Sequence, residues 1–167
     1  MSLKENIEVK KVVRFLEEIK INVIEKELGN TFLPGLELGP NCIYIDYEKL
    51  LYPGDILHEA GHLAVTTSAE RKLVGTTEIP SEWPTQGDEI AAILWSYGAL
   101  HYLELPLEFV FHPNGYRDQS QWFISNFSSG TYMGLPLLEW MGLCLGKEKA
   151  EKEQKSPFPA MQKWLRD

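Results

Sequence analysis

Cysteine is scarce in this sequence: the 167 residues include two, Cys42 and Cys144. Two thiols so far apart cannot form a disulfide scaffold, and they fit a reducing compartment. Long apolar runs are missing as well. No stretch reaches the ~18 consecutive apolar residues of a membrane span, and the charged segment Met1–Lys11 lacks the apolar core of a secretory signal. These absences point to a cytoplasmic protein with no membrane partner. Basic residues are few where a phosphate backbone would need them. Residues 29–146 carry 4 Lys plus Arg against 14 Asp plus Glu, a net −10 within a chain of net −8. Nucleic acid is therefore excluded as an expected partner. An acidic middle suits a metal cation, a basic substrate or simple solubility.

What is present reads as one domain over residues 1–167. The length suits a single core, and an apolar content of 44% argues against disorder. No internal repeat is visible. Val9, Val12, Val13, Leu16, Ile19 and Val23 recur at helical spacing, which predicts a long amphipathic helix over about 4–28. A turn-rich stretch over 31–40 holds a short strand near Leu36–Leu38, and Asn41–Tyr47 alternates as a half-buried strand. A second helix opens at Tyr52-Pro53-Gly54-Asp55 and runs to about Thr66. A third short strand is expected near Lys72–Thr76. Thr85 and Asp88 form a capping-box pattern ahead of a strongly apolar helix that ends near Glu104. Short helices follow over 118–128 and 135–145. Residues 147–155 are a solvated charge run, and 157–165 are expected to dock back as a helix through Phe158, Met161, Trp164 and Leu165. The predicted class is α+β, mostly helical, with two or three short strands.

Residues 58–62 read His-Glu-Ala-Gly-His. On a helix, positions i and i+4 share one face, so His58 and His62 can offer their imidazoles to one ion. Glu59 is rotated about 100° from His58, beside the ion, where it can take a proton from water. A random shuffle of this composition gives the pattern in roughly 1% of sequences. Gly61 adds a clue, because glycine inside a helix costs about 1 kcal/mol relative to alanine; its use there predicts a second backbone passing close by.

A zinc site of this kind needs a third protein ligand. Glu89 is the first choice, in the opening turn of the apolar helix. Asp88 competes but has the cap to serve, Glu78 and Glu82 lie in a loop, and His112 sits in a more distant one. His101 follows Glu89 by 12 residues, about 18 Å along a helix, so those two cannot share an ion.

With a strand before the motif helix and an acidic residue near the start of the next helix, the segment from Asn41 to Leu100 resembles the zincin metallopeptidases. It is most similar to the small single-domain gluzincins, in which a Glu is the third ligand. The resemblance implies a zincin-like fold with an active-site helix and a second, ligand-bearing helix. It also implies a Zn2+ cofactor held by His58, His62 and Glu89, with Glu59 as general base and a peptide or protein as substrate. Ile93 occupies the position where thermolysin-like members place an Asp that supports a ligand histidine. Ser68 and Val65 stand where the extended metzincin motif requires His and Gly. Two neutral imidazoles and one carboxylate leave such a site near +1, still a Lewis acid. An extended substrate is expected to add beside the strand Cys42–Asp46. Tyr97, His101, His112 and Tyr116 are unranked candidates for stabilising the oxyanion. Two other readings use the same residues. Peptide deformylases share the five-residue motif with an upstream Cys ligand, though Cys42 lies closer to His58 than their spacing. A non-catalytic zinc-binding interaction module is the second.

Overall fold

The first helix is shorter than its periodicity predicts. In the computed structural model, which describes residues 2–167, α1 spans Ile7–Glu18 and is capped by the Asn6 side chain at the amides of Glu8 and Val9. It ends where Lys20 takes a left-handed φ of 75° and the Ile21 amide reaches back to the Leu16 carbonyl at 2.9 Å, a helix-terminating pattern. The remainder of the expected helix is instead a strand, β1 (Asn22–Glu25). The β-branched run Val23–Ile24 serves a pleated surface as well as a helix face, and pairing with the sheet decides between them.

β2 (Leu36–Gly39) and β3 (Cys42–Ile45) complete a three-stranded sheet of order β1-β3-β2. β1 runs parallel to β3, and β2 antiparallel. β3 is thus the central strand, hydrogen-bonded on both sides. This corrects the expectation that an extended substrate adds there: no edge is free, and β2 is the outer strand on that side. The third strand expected at Lys72–Thr76 does not form. A short helix, α3 (Ser68–Arg71), leads into a turn at Gly75, with φ of 79°, where a side chain would collide with the Leu38 carbonyl.

α2 (Asp55–Ala64) carries the motif, and α4 (Gln86–Leu103) packs directly against it. α4 begins with the predicted capping box: the Thr85 amide donates to Asp88 at 2.8 Å, and the Asp88 amide donates to Thr85 Oγ1 at 3.1 Å. Its interior, including the fully buried Leu94, Trp95 and Leu100, is buried nearly all round, as a core helix should be. Each such side chain contributes about 1.5–3 kcal/mol on burial.

Three short helices follow: α5 (Ser120–Ser128), α6 (Leu135–Trp140) and α7 (Lys147–Glu153). α7 is the charge run, exposed except for Ala150. The C-terminal docking helix expected over 157–165 is absent. Pro157 and Pro159 cannot donate helical hydrogen bonds, and the backbone pairs with residues 143–145 instead: the Phe158 amide with Leu145 O and the Gln162 amide with Leu143 O, both at 2.8 Å. The docking itself does occur. Trp164 lies edge-on to Phe15 at 4.9 Å and accepts at its carbonyl from Trp95 Nε1 at 3.0 Å. Beyond it, Arg166 bonds to the last carbonyls of α2, its amide to Ala64 O at 2.9 Å and its guanidinium to Val65 O at 3.2 Å. The buried Arg71 guanidinium joins them, bonding to Leu63 O, Thr66 O and Arg166 O. Positive charge at the C-terminus of α2 suits the helix dipole. The architecture is α+β and mostly helical, with one small mixed sheet. No helix among the described residues is long and apolar enough to cross a membrane.

Candidate metal centre

Close approach of two helices builds the site. Gly61 faces Ala92 on α4, and a Cβ at Gly61 would lie 2.7 Å from the Ala92 carbonyl oxygen. The second backbone that Gly61 predicts is therefore α4. With Ala60, Ala64 and Ala91 also buried in the core, the interface is made of small side chains. The first turn of α4, fixed by its capping box, then holds Glu89 over the face of α2 that carries the motif.

His58 Nε2 lies 3.2 Å from Glu89 Oε1, and His62 Nε2 lies 2.8 Å from Glu89 Oε2. One ligand atom from each of the three residues falls within 4.8 Å of the others. Tetrahedral zinc with bonds of about 2.0–2.1 Å places neighbouring ligand atoms roughly 3.3 Å apart, so the donor spacing and the chemistry of two imidazoles plus a carboxylate both fit a metal ion. Among the described residues, this is the group of His, Cys, Asp or Glu side chains arranged to hold one.

The competing ligands stand elsewhere. Asp88 is occupied at the cap. Glu78 and Glu82 are exposed and outside the cluster, and His101 is exposed near the far end of α4. Cys42 is buried in β3 and is not part of the group, so a deformylase-type cysteine ligand is not supplied by it.

Two carboxylates and one imidazole respond differently to this environment. Burial raises the Glu89 carboxyl, but hydrogen bonds and charge from His58 and His62 outweigh it, holding Glu89 well below the ordinary carboxylate range. Burial lowers the His58 imidazole, and Glu89 more than compensates, leaving it raised. Glu59 is pushed up by burial, only partly offset by His62 and His58. The Glu59 carboxylate has no hydrogen-bond partner among the described residues and lines the same cleft as the three ligand candidates. Asp55, at the start of α2, meets His112 Nε2 at 2.8 Å, and the His112 ring stacks on Tyr52 with centroids 4.3 Å apart.

Of the four oxyanion candidates, two are removed by position. Tyr97 points to the Phe127 carbonyl at 3.4 Å within an aromatic cluster, and His101 is remote. His112 and Tyr116 line the cleft. The Tyr116 hydroxyl lies 3.2 Å from His58 Nδ1. The Asp55–His112 pair and the Tyr116–His58 contact carry no sequence pattern; their partners are separated by 57 and 58 residues.

The cleft has a volume of about 980 Å³. Its walls include Leu33, Leu38, Trp83, Ile93 and Phe123 beside the acidic groups. No protein-family model, curated protein or solved structure matches the chain.

Proposed function

We propose that this protein is a zinc-dependent metallopeptidase of the gluzincin type, with His58, His62 and Glu89 as ligands and Glu59 as general base. The observation that carries the reading is a free Glu59 carboxylate beside three donors that all open on one cleft. Two histidines and one carboxylate leave a fourth position open, as catalytic zinc sites do. When bound, zinc supplies Lewis acidity that polarises the scissile carbonyl and lowers the pKa of water.

The protein's own groups do the rest. Glu59, raised by burial, accepts a proton from the attacking water and returns it to the leaving amine. The apolar walls exclude water and take apolar side chains flanking the scissile bond. A volume of about 980 Å³ accommodates a peptide of several residues, so the substrate class is an extended peptide or an exposed segment of a protein.

Purified protein should carry or take up about one zinc per chain and cleave apolar peptide libraries. Glu59→Gln should keep the metal while turnover falls at least about 10²–10⁴-fold. Zinc uptake with no turnover in the unaltered protein would favour a binding module instead. Turnover that survives Glu59→Gln would remove Glu59 from its role.

A further inference from the structure

Ile93 stands where the thermolysin-like pattern supplies a carboxylate for a ligand histidine, and the structure puts a different group behind His58. Tyr116 Oη is 3.2 Å from His58 Nδ1, and the two rings meet edge to face at 5.5 Å. The loop that brings Tyr116 there is strained. Tyr116, Arg117 and Asp118 have φ of 57°, 50° and 64°, a left-handed run without glycine that L side chains disfavour. Such a run persists where contacts hold it. Here the contacts are the hydroxyl on His58 and the Tyr116 ring on Phe111 and Phe123, with centroids at 5.2 and 5.4 Å. His62 has no counterpart: its Nδ1 is buried without a partner. His58 is therefore the ligand whose far nitrogen is held.

We propose that Tyr116 is the positioning residue for His58 and that a neutral phenol, rather than a carboxylate, fixes this ligand for the metal. This rests on the metal-centre reading above. In the metal-free protein, a neutral His58 donates its Nε2 proton to Glu89 and accepts the Tyr116 hydroxyl proton at Nδ1. A cation on His58 needs the Nε2 lone pair, so the neutral ring then carries its single proton on Nδ1 and donates it to Tyr116 Oη. The hydrogen bond reverses direction while the ring keeps one proton. A phenol can serve in both directions because its oxygen donates or accepts, whereas an ionised carboxylate accepts only.

The test measures zinc affinity by competition with a chromophoric chelator, together with ¹⁵N chemical shifts of the histidine ring nitrogens. Tyr116→Phe keeps the ring packing and removes the oxygen. It should weaken zinc binding about tenfold or more, as loss of such an outer partner does, with the metal-free circular dichroism unchanged. In the unaltered protein, zinc-loaded His58 should carry its one ring proton on Nδ1. Zinc affinity in a folded Tyr116→Phe within twofold of the original overturns the role, as does a zinc-loaded His58 protonated at Nε2. If Tyr116→Phe fails to fold, the ring-nitrogen shifts of the unaltered protein decide alone. Failure of the unaltered protein to bind zinc defeats the metal centre itself, a result distinct from equal affinities.

Discussion

Replacing Gly61 with alanine separates local helix preference from packing at the α2–α4 contact. On an isolated helix the change should help, by about 1 kcal/mol. Here the added methyl falls 2.7 Å from the Ala92 carbonyl oxygen and 3.2 Å from both Ala92 Cα and Cβ, against ordinary carbon contacts of about 3.5–4.0 Å. Backbone lies on both sides, so no flexible side chain can swing away, and relief requires the helices to part by several tenths of an ångström. Overpacking of this kind costs about 1–3 kcal/mol. With rigid neighbours the upper end applies, and the net loss after the propensity gain is about 1–2 kcal/mol. For a chain of this size that lowers Tm by about 2–8 °C. Glu89 lies one turn before Ala92 on α4, so the same displacement draws its carboxylate away from His58 and His62, and zinc affinity should fall along with stability. Urea unfolding and chelator competition on Gly61→Ala measure both. A variant as stable as the original, or more so, would refute the close approach on which the site geometry depends.

The Glu89–histidine contacts make a pH-dependent contribution in the metal-free protein. Glu89 is lowered on folding, so its contribution is present above the ordinary carboxylate pKa and lost as pH falls through the folded value. His58 is raised, so its contribution is complete below its unfolded pKa of about 6.5 and lost as pH rises through the folded value. The Tm gap between the original and Glu89→Gln, measured with chelator present, should be widest near pH 5–6 and narrow towards pH 9; a gap that widens with pH would contradict the pairing. Cys144 is buried and its thiol is pushed up to about 12 by burial and then by Glu139. Because the thiolate is the reactive form, native protein at pH 8 should leave Cys144 unmodified by iodoacetamide over hours, and urea should expose both thiols. Prompt native labelling of Cys144, mapped by mass spectrometry, would show the C-terminal packing to be loose.

The core of the site was legible because its signals are local. The i, i+4 spacing of His58 and His62, the capping pattern of Thr85 and Asp88, and Gly61 inside a helix each have a cause within a few residues, and each lies in the structure where those causes put it. Glu89 followed from the cap, since a fixed first turn fixes its fourth residue. The β1 segment was misread because Val23 satisfies helical periodicity while the parallel partner that claims it, β3, is some 20 residues away (Val23 pairs with Ile43). The tail departs from its expected helix for a similar reason: Phe158, Met161 and Leu165 have helical spacing, but Pro157 and Pro159, on either side of Phe158, free the backbone to pair with residues 143–145. Tyr116 and the Asp55–His112 pair owe their places to a loop distant in sequence. Residue type made His112 and Tyr116 candidates, and only the fold gives them partners.

The bonds that Arg166 makes to the end of α2 have a consequence for the order in which the molecule is completed. The five motif residues are made well before Arg166, yet two carbonyls at the end of their helix are bonded by that residue, Ala64 O by its amide and Val65 O, 101 positions upstream, by its guanidinium. Until that residue is in place, Ala64 O and Val65 O lack these two donors and Arg71 lacks one of its three carbonyl acceptors. The helix that carries both imidazoles therefore depends, at its C-terminal end, on a segment that must fold back from far along the chain.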